Sequence, residues 1–97
     1  MEREEYVERV LQIVERVPTG RVTTYGAIAG HIGVGGPRQV GQVMSLHGGP
    51  VPWWRVVRAD GSLPPSNADE ARQRHLEEGT PLRGSGRVDL REAYWQP

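Results

Sequence analysis

The 97-residue sequence contains no cysteine. Disulfides, thiolate nucleophiles, zinc–thiolate sites and iron–sulfur clusters are therefore excluded together. It also lacks any apolar run close to the roughly 20 residues that a membrane span needs, and its acidic start is unlike the basic end of a signal peptide. We therefore expect a soluble protein of the cytoplasm, associated with the nucleoid if it is bacterial, with no membrane partner.

Signals for metals and cofactors are also missing. The histidines His31, His47 and His75 stand 16 and 28 residues apart with no acid or thiol in ligand register. The glycine-rich segment 33–36 is not followed by Lys-Ser or Lys-Thr, so it predicts a turn rather than a phosphate-binding loop. We expect no metal and no cofactor, and histidines that lie on the surface or face phosphate.

Lysine is absent, so arginine is the only fully cationic side chain in the protein. Residues 1–15 hold two arginines against five glutamates, a net charge of −3, and residues 60–97 carry −2. Residues 16–59 hold five arginines and no acid, a net charge of +5. Because guanidinium groups suit phosphate and base contacts, this middle segment indicates a surface for a polyanion. The alternative is a chance excess of ordinary surface arginines.

The length suits one small domain over residues 1–97. Apolar residues at spacings of three and four predict a first amphipathic helix that ends before Pro18. Thr23 and Thr24 offer caps for a second helix that Gly33 closes, and Pro37 suits the start of a third, which runs to about residue 46. Two short helices joined by a glycine turn predict a helix-turn-helix.

Downstream of the third helix, residues 55–58 predict a strand that enters a hairpin turn at 59–62. Ser66, with an acid three residues further on, predicts the start of a last helix that Gly79 ends. The expected fold is mainly α with a small β hairpin, a helix-turn-helix or winged-helix-like DNA-binding domain.

Three blocks of sequence resemble the DNA-binding domain of the alkylguanine-DNA alkyltransferases: Gly20–Tyr25, Pro37–Met44 and Val51–Val57. In those enzymes the last block reads Pro-Cys-His-Arg-Val. Trp53 therefore stands where the enzymes carry the nucleophilic cysteine, and Trp54 where they carry the histidine that activates it. This departure, and the ending of the chain, resemble the alkyltransferase-like proteins, a non-enzymatic branch of the family.

The resemblance implies how DNA would be held. Tyr25 would press on the phosphate of the target nucleotide, Arg38 would fill the place vacated by a flipped base, and Gly41 would allow close approach in the minor groove. The residues implied for DNA binding are Thr24, Tyr25, Arg38, Gln39, Gly41 and Gln42. Those implied for the lesion pocket are Trp53, Trp54, Arg55, Val56, Ser62 and Ser66.

Two departures concern the pocket. The enzymes follow their active-site strand with a tyrosine and a Ser-Gly-Gly loop, whereas this chain has Leu63–Asn67. They also carry an asparagine at the position of Gly49. Simpler interpretations exist for single residues: Tyr25 as a half-buried aromatic at a helix start, Arg38 as a solvated arginine and Trp53 as a core side chain.

We thus expect a non-catalytic sensor that binds duplex DNA, flips O6-alkylguanine into a pocket and flags it for nucleotide excision repair. Its partners would be alkylated duplex DNA and, by resemblance, excision-repair proteins, and it would act as a monomer. One alternative is a glycosylase-type enzyme, although residues 16–59 lack any acid or lysine to attack a sugar. The other is a sequence-reading winged-helix regulator, although no dimerisation helix is evident.

Overall fold

The computed structural model describes all residues from 1 to 97. The helices are α1 (Arg3–Arg16), α2 (Tyr25–Ile32), α3 (Pro37–His47), α4 (Ala68–Glu78) and α5 (Leu90–Ala93). The strands are β1 (Thr23–Thr24) and β2 (Val56–Val57), and 3₁₀ turns cover Trp53–Arg55 and Pro65–Asn67. No helix combines the length and apolarity that a bilayer crossing needs.

The main core lies where α1, α2 and α3 meet. The inward face of α1 contributes Val10, Ile13 and Val14, which are buried together with Ile28 of α2 and Val40 of α3. The predicted spacing of apolar residues on α1 is confirmed by this packing, since residues three and four apart share one helix face. The opposite face of α1 carries its glutamates and is exposed.

The predicted pair of helices is also confirmed. The Thr24 hydroxyl accepts a hydrogen bond of 3.0 Å from the backbone N–H of Ala27 and so caps α2. Gly33 ends α2 with φ of 84°, a left-handed conformation that glycine adopts without strain. α3 begins at Pro37 and ends at His47, one residue beyond the predicted end.

The predicted β hairpin is wrong, because the two strands are parallel. Thr23 lies opposite Val56 and Thr24 opposite Val57, so β2 pairs with a segment more than thirty residues earlier. The predicted turn does form, with the Gly61 N–H donating to the Arg58 carbonyl at 2.8 Å. The chain after it reaches two consecutive prolines, which have no N–H to donate to a ladder with β2.

The predicted last helix begins two residues later than Ser66, because Pro65–Asn67 form a 3₁₀ turn ahead of α4. Gly79 ends α4 as predicted, with φ of 73°. α4 packs beside the 3₁₀ turn that carries the two adjacent tryptophans. The contacts between α4 and this turn therefore determine where the tryptophans stand relative to α3.

Candidate nucleic-acid interface

One face of α3 is polar and open to solvent. Arg38, Gln39 and Gln42 are exposed on it, beside the half-buried Gly41. The Gln39 side-chain oxygen already accepts a 2.9 Å hydrogen bond from the Gly36 N–H, so this side chain helps to begin the helix. Arg38 and Gln42 have no such internal partner and remain available to a ligand.

Gly41 has no internal reason to be glycine. A methyl group added there would meet no heavy atom within 4 Å, and the residue lies inside a helix, where glycine costs roughly 0.5–1 kcal/mol relative to alanine. The packing of the free protein therefore does not require it. A ligand whose surface approaches the α3 backbone closely would require a residue without a side chain.

A cavity of about 350 Å³ opens beside α3, and we call it the α3 hollow. Its volume is at the small end of the range for small-molecule sites. Among the residues that the sequence assigned to the interface, Tyr25, Gly41, Trp53 and Ser66 line it. The remaining lining residues are Met44, Ser45, Gly48, Gly49, Pro64 and Asn67.

The other predicted pocket residues do not line this hollow. Val56 is completely buried in the main core, and the side chains of Trp54 and Arg55 are engaged with α4. Ser62 lies in the turn after β2, where its hydroxyl and its backbone N–H both donate to Asp60. These four residues therefore lie outside the lining of the α3 hollow in the free protein.

Sequence reasoning missed the contribution of the later turns of α3. Ser45 and Gly48 follow Gly41 at spacings of four and three, so they continue the same helix face towards the hollow. That periodicity was available in the sequence. It extends the helix-turn-helix surface from the exposed start of α3 directly into the cavity.

Glu78, at the end of α4, holds together a set of groups that we call the Glu78 network. Its carboxylate accepts hydrogen bonds from the Trp54 indole at 3.0 Å, from the Arg55 Nε at 3.0 Å and from the Gly20 N–H at 3.2 Å. Burial raises the pKa of this carboxyl, but these hydrogen bonds outweigh burial and bring the pKa below its ordinary value of 4.5. The network ties α4 to the turn that carries Trp53.

His75 hydrogen-bonds to the same turn, which carries Trp53 and Trp54. The sequence predicted a surface histidine, but His75 is completely buried, whereas His31 and His47 are exposed. Its Nε2 lies 2.7 Å from the Trp54 carbonyl oxygen and its Nδ1 2.9 Å from the Thr80 hydroxyl. Since a carbonyl can only accept, Nε2 carries the hydrogen, and the Thr80 hydroxyl donates to Nδ1.

The buried state of His75 makes stability depend on pH. Burial lowers the pKa of His75 below its ordinary value of 6.5, and the hydrogen bond to the Trp54 carbonyl opposes only part of this shift. The unfolded chain therefore takes up the proton first, so stability should fall as the pH drops below about 6.5. We expect His75→Gln, which retains an N–H donor, to flatten this fall in urea unfolding curves, whereas His47→Gln should leave it unchanged. Equal pH dependence in all three proteins would contradict this assignment.

Comparisons with known proteins agree with this geometry. Residues 5–79 match the family described as the 6-O-methylguanine DNA methyltransferase DNA-binding domain. The fold and the site therefore define a DNA-binding domain of the helix-turn-helix type, and the chain belongs to this family.

Within the family, the chain stands with the alkyltransferase-like proteins. It is 42% identical to the DNA base-flipping protein of Escherichia coli, over 98% of this chain and 78% of that protein. It is 34% identical to the alkyltransferase-like protein 1 of Schizosaccharomyces pombe, with both chains covered completely. A crystal structure of that yeast protein with damaged DNA containing O6-carboxymethylguanine superposes with a TM-score of 0.87, at 32% identity and complete coverage of both chains.

The chain lacks the nucleophile of the family's alkyltransferases. Alkyl transfer in the family needs a cysteine thiolate, and this sequence has no cysteine at all. Trp53 lines the hollow instead, with its ring edge-on to Trp54 at a centroid distance of 5.7 Å. The hollow can therefore enclose a group without forming a bond to it.

Proposed function

We propose that this protein is a non-catalytic DNA-damage sensor. It binds duplex DNA through the exposed face of α3 and takes an O6-alkylated guanine, turned out of the helix, into the α3 hollow. The observation that carries this proposal is that the hollow is lined by Gly41 of α3, adjoins a second cavity lined by Arg38, and has an indole where the family's enzymes have their nucleophile. The protein would act as a single domain and a monomer, in the cytoplasm.

Three residues would each have a separate role in base flipping. Unstacking a base costs a few kcal/mol, and a planar guanidinium inserted from Arg38 recovers part of that cost by stacking on the neighbouring bases. Gly41, one turn further along α3, lets the backbone approach the DNA. Burial raises the pKa of Tyr25, and the nearby Arg58 opposes only part of this shift, so the hydroxyl keeps its proton and can donate to a phosphate.

The roles of Arg38 and Gly41 also indicate which groove of the DNA α3 enters. A surface that supplies one arginine and a bare backbone suits the minor groove, where side chains unstack and bend DNA more than they read sequence. We therefore expect binding that depends on the lesion and little on the surrounding bases. The exposed arginines among residues 16–59 would provide the sequence-independent part of the affinity.

The relatives give independent support. One is named a DNA base-flipping protein, and the yeast alkyltransferase-like protein has been crystallised with DNA containing an alkylated guanine. Because this chain has no nucleophile to remove the alkyl group, repair must be completed by other proteins. We propose nucleotide excision repair as the pathway that receives the marked lesion.

A titration of two duplexes that differ only in one O6-methylguanine tests this function. We expect the damaged duplex to bind at least about tenfold more tightly, which corresponds to about 1.4 kcal/mol. Both duplexes should show the same steep weakening with salt, since most phosphate contacts are shared. Equal affinity for the two duplexes would contradict the proposal.

A further inference from the structure

The five arginines of residues 16–59 do not all face the same surface. Arg55 is paired with Glu78, Arg21 donates to the Glu92 carbonyl at 2.7 Å, and Arg16 lies at the end of α1. The remaining two, Arg38 and Arg58, are exposed and form no ion pair within the protein. Both line a second cavity of about 400 Å³, which we call the Arg58 hollow.

The Arg58 hollow adjoins the α3 hollow. Both cavities are lined by Tyr25, Gly41 and Pro64, so these three residues form the ridge between them. The other walls of the Arg58 hollow are Pro37 and Pro65. Proline offers neither a backbone N–H nor a side-chain donor. The side-chain hydrogen-bond donors around this cavity are therefore the two guanidinium groups and the Tyr25 hydroxyl.

We infer that the Arg58 hollow binds the phosphodiester next to the flipped nucleotide, with the Arg58 guanidinium as its principal donor. This inference rests on the proposed function, because it places a flipped base in the α3 hollow. A flipped nucleotide stays joined to the strand by a phosphodiester on each side. One of these groups must cross the ridge beside Tyr25, and the cavity there is the arginine-lined one.

Arg58 is the arginine that would stay in this cavity to bind the phosphodiester. Arg38 would leave the cavity when it enters the base stack, whereas Arg58 follows β2, whose pairing with β1 fixes its backbone. Its own N–H donates to the Ser62 carbonyl at 3.1 Å, which holds the turn in place. Arginine matches phosphate oxygens with two parallel donors, and such charge-assisted hydrogen bonds are stronger than neutral ones.

The test compares Arg58→Ala with Arg9→Ala, which removes an exposed arginine from α1. We expect Arg58→Ala to weaken binding to the methylguanine duplex about tenfold and to lower the slope of log affinity against log salt by about one. Arg9→Ala should change neither quantity. Circular dichroism should show both variants folded, because only the side chain beyond the β-carbon is removed.

A neutral phosphate analogue identifies the group that Arg58 binds. In two further duplexes, a methylphosphonate replaces the phosphodiester on one or the other side of the lesion. We expect one of these duplexes to bind the unmodified protein about tenfold more weakly, and Arg58→Ala to lose nothing more on it. That non-additivity is specific to a direct contact between the two groups.

The outcomes separate the two proposals. If the unmodified protein prefers the damaged duplex but Arg58→Ala binds it as well as Arg9→Ala does, the Arg58 inference is overturned and the proposed function stands. Additive losses from the methylphosphonate and Arg58→Ala would overturn it in the same way. If the unmodified protein shows no lesion preference, the proposed function fails, and the inference fails with it.

Discussion

Replacing Glu78 with alanine is expected to lower the free energy of unfolding by about 3 kcal/mol, the cost of breaking a buried ion pair from one side. The carboxylate and the Arg55 side chain are only 11% and 14% exposed, so the guanidinium would stay buried without its counter-charge. The Trp54 indole and the Gly20 N–H would lose their acceptor as well. Denaturant unfolding measures this loss directly.

Glu77→Ala is the matched control, since the neighbouring glutamate is exposed on the same helix and should contribute less than about 0.5 kcal/mol. The Glu78 network should also weaken in acid. Because the folded-state pKa of Glu78 lies below 4.5, its stabilisation is complete above that pH and is lost as the pH falls through the folded value. Equal losses from Glu77→Ala and Glu78→Ala would show that the network does not support the fold.

Arg38→Ala is expected to weaken binding to a duplex with O6-methylguanine by about 1–3 kcal/mol. An arginine inserted in the base stack stabilises the flipped state itself, so its loss should be much smaller on intact DNA, where no base is flipped. Competition titrations on the two duplexes measure both losses. Because Arg38 is exposed at the start of α3, the substitution should leave the fold intact, and unfolding curves check this.

Arg9→Ala again serves as the charge-matched control and should leave both affinities unchanged. The comparison between the affinity losses on damaged and intact DNA tests the role of Arg38 better than the size of either loss. Equal weakening on damaged and intact DNA, with a salt slope reduced by about one, would make Arg38 a phosphate contact. That result would contradict the insertion of Arg38 into the base stack.

Local signals in the sequence were enough for the helical part of the fold. The apolar spacing in α1, the Thr24 cap, the left-handed Gly33 and the proline that begins α3 each act over a few residues. Such signals depend on backbone sterics and on nearby hydrogen bonds, which neighbouring residues determine. The helix-turn-helix could therefore be predicted almost to the residue.

The strand pairing could not be predicted in the same way. β2 was expected to pair with the chain that follows it, because turn-forming residues stand at 59–62, but it pairs with β1 instead. A strand of two residues carries no periodicity that distinguishes one partner from another. The choice depends on contacts between distant segments, and the consecutive prolines after the turn were the one local sign against a hairpin.

The candidate site, too, could be predicted only in part from the sequence. Of the residues implied for the lesion pocket, Trp53 and Ser66 line the hollow, together with Tyr25 and Gly41, which the resemblance implied for DNA binding. The side chains of Trp54 and Arg55 lie outside the hollow instead, because they hydrogen-bond to Glu78, more than twenty positions later. Only the folded structure shows that Glu78 packs against the tryptophan turn while the neighbouring Glu77 is exposed.

The most direct test of the central claim is native mass spectrometry of the protein with an equimolar mixture of two duplexes, one intact and one with a single O6-methylguanine. We predict that the complex with the damaged duplex predominates. After long incubation, the recovered protein and both DNA strands should have unchanged masses, because the chain has no thiolate to accept the methyl group. Equal amounts of the two complexes, or a protein heavier by one methyl group, would contradict the account.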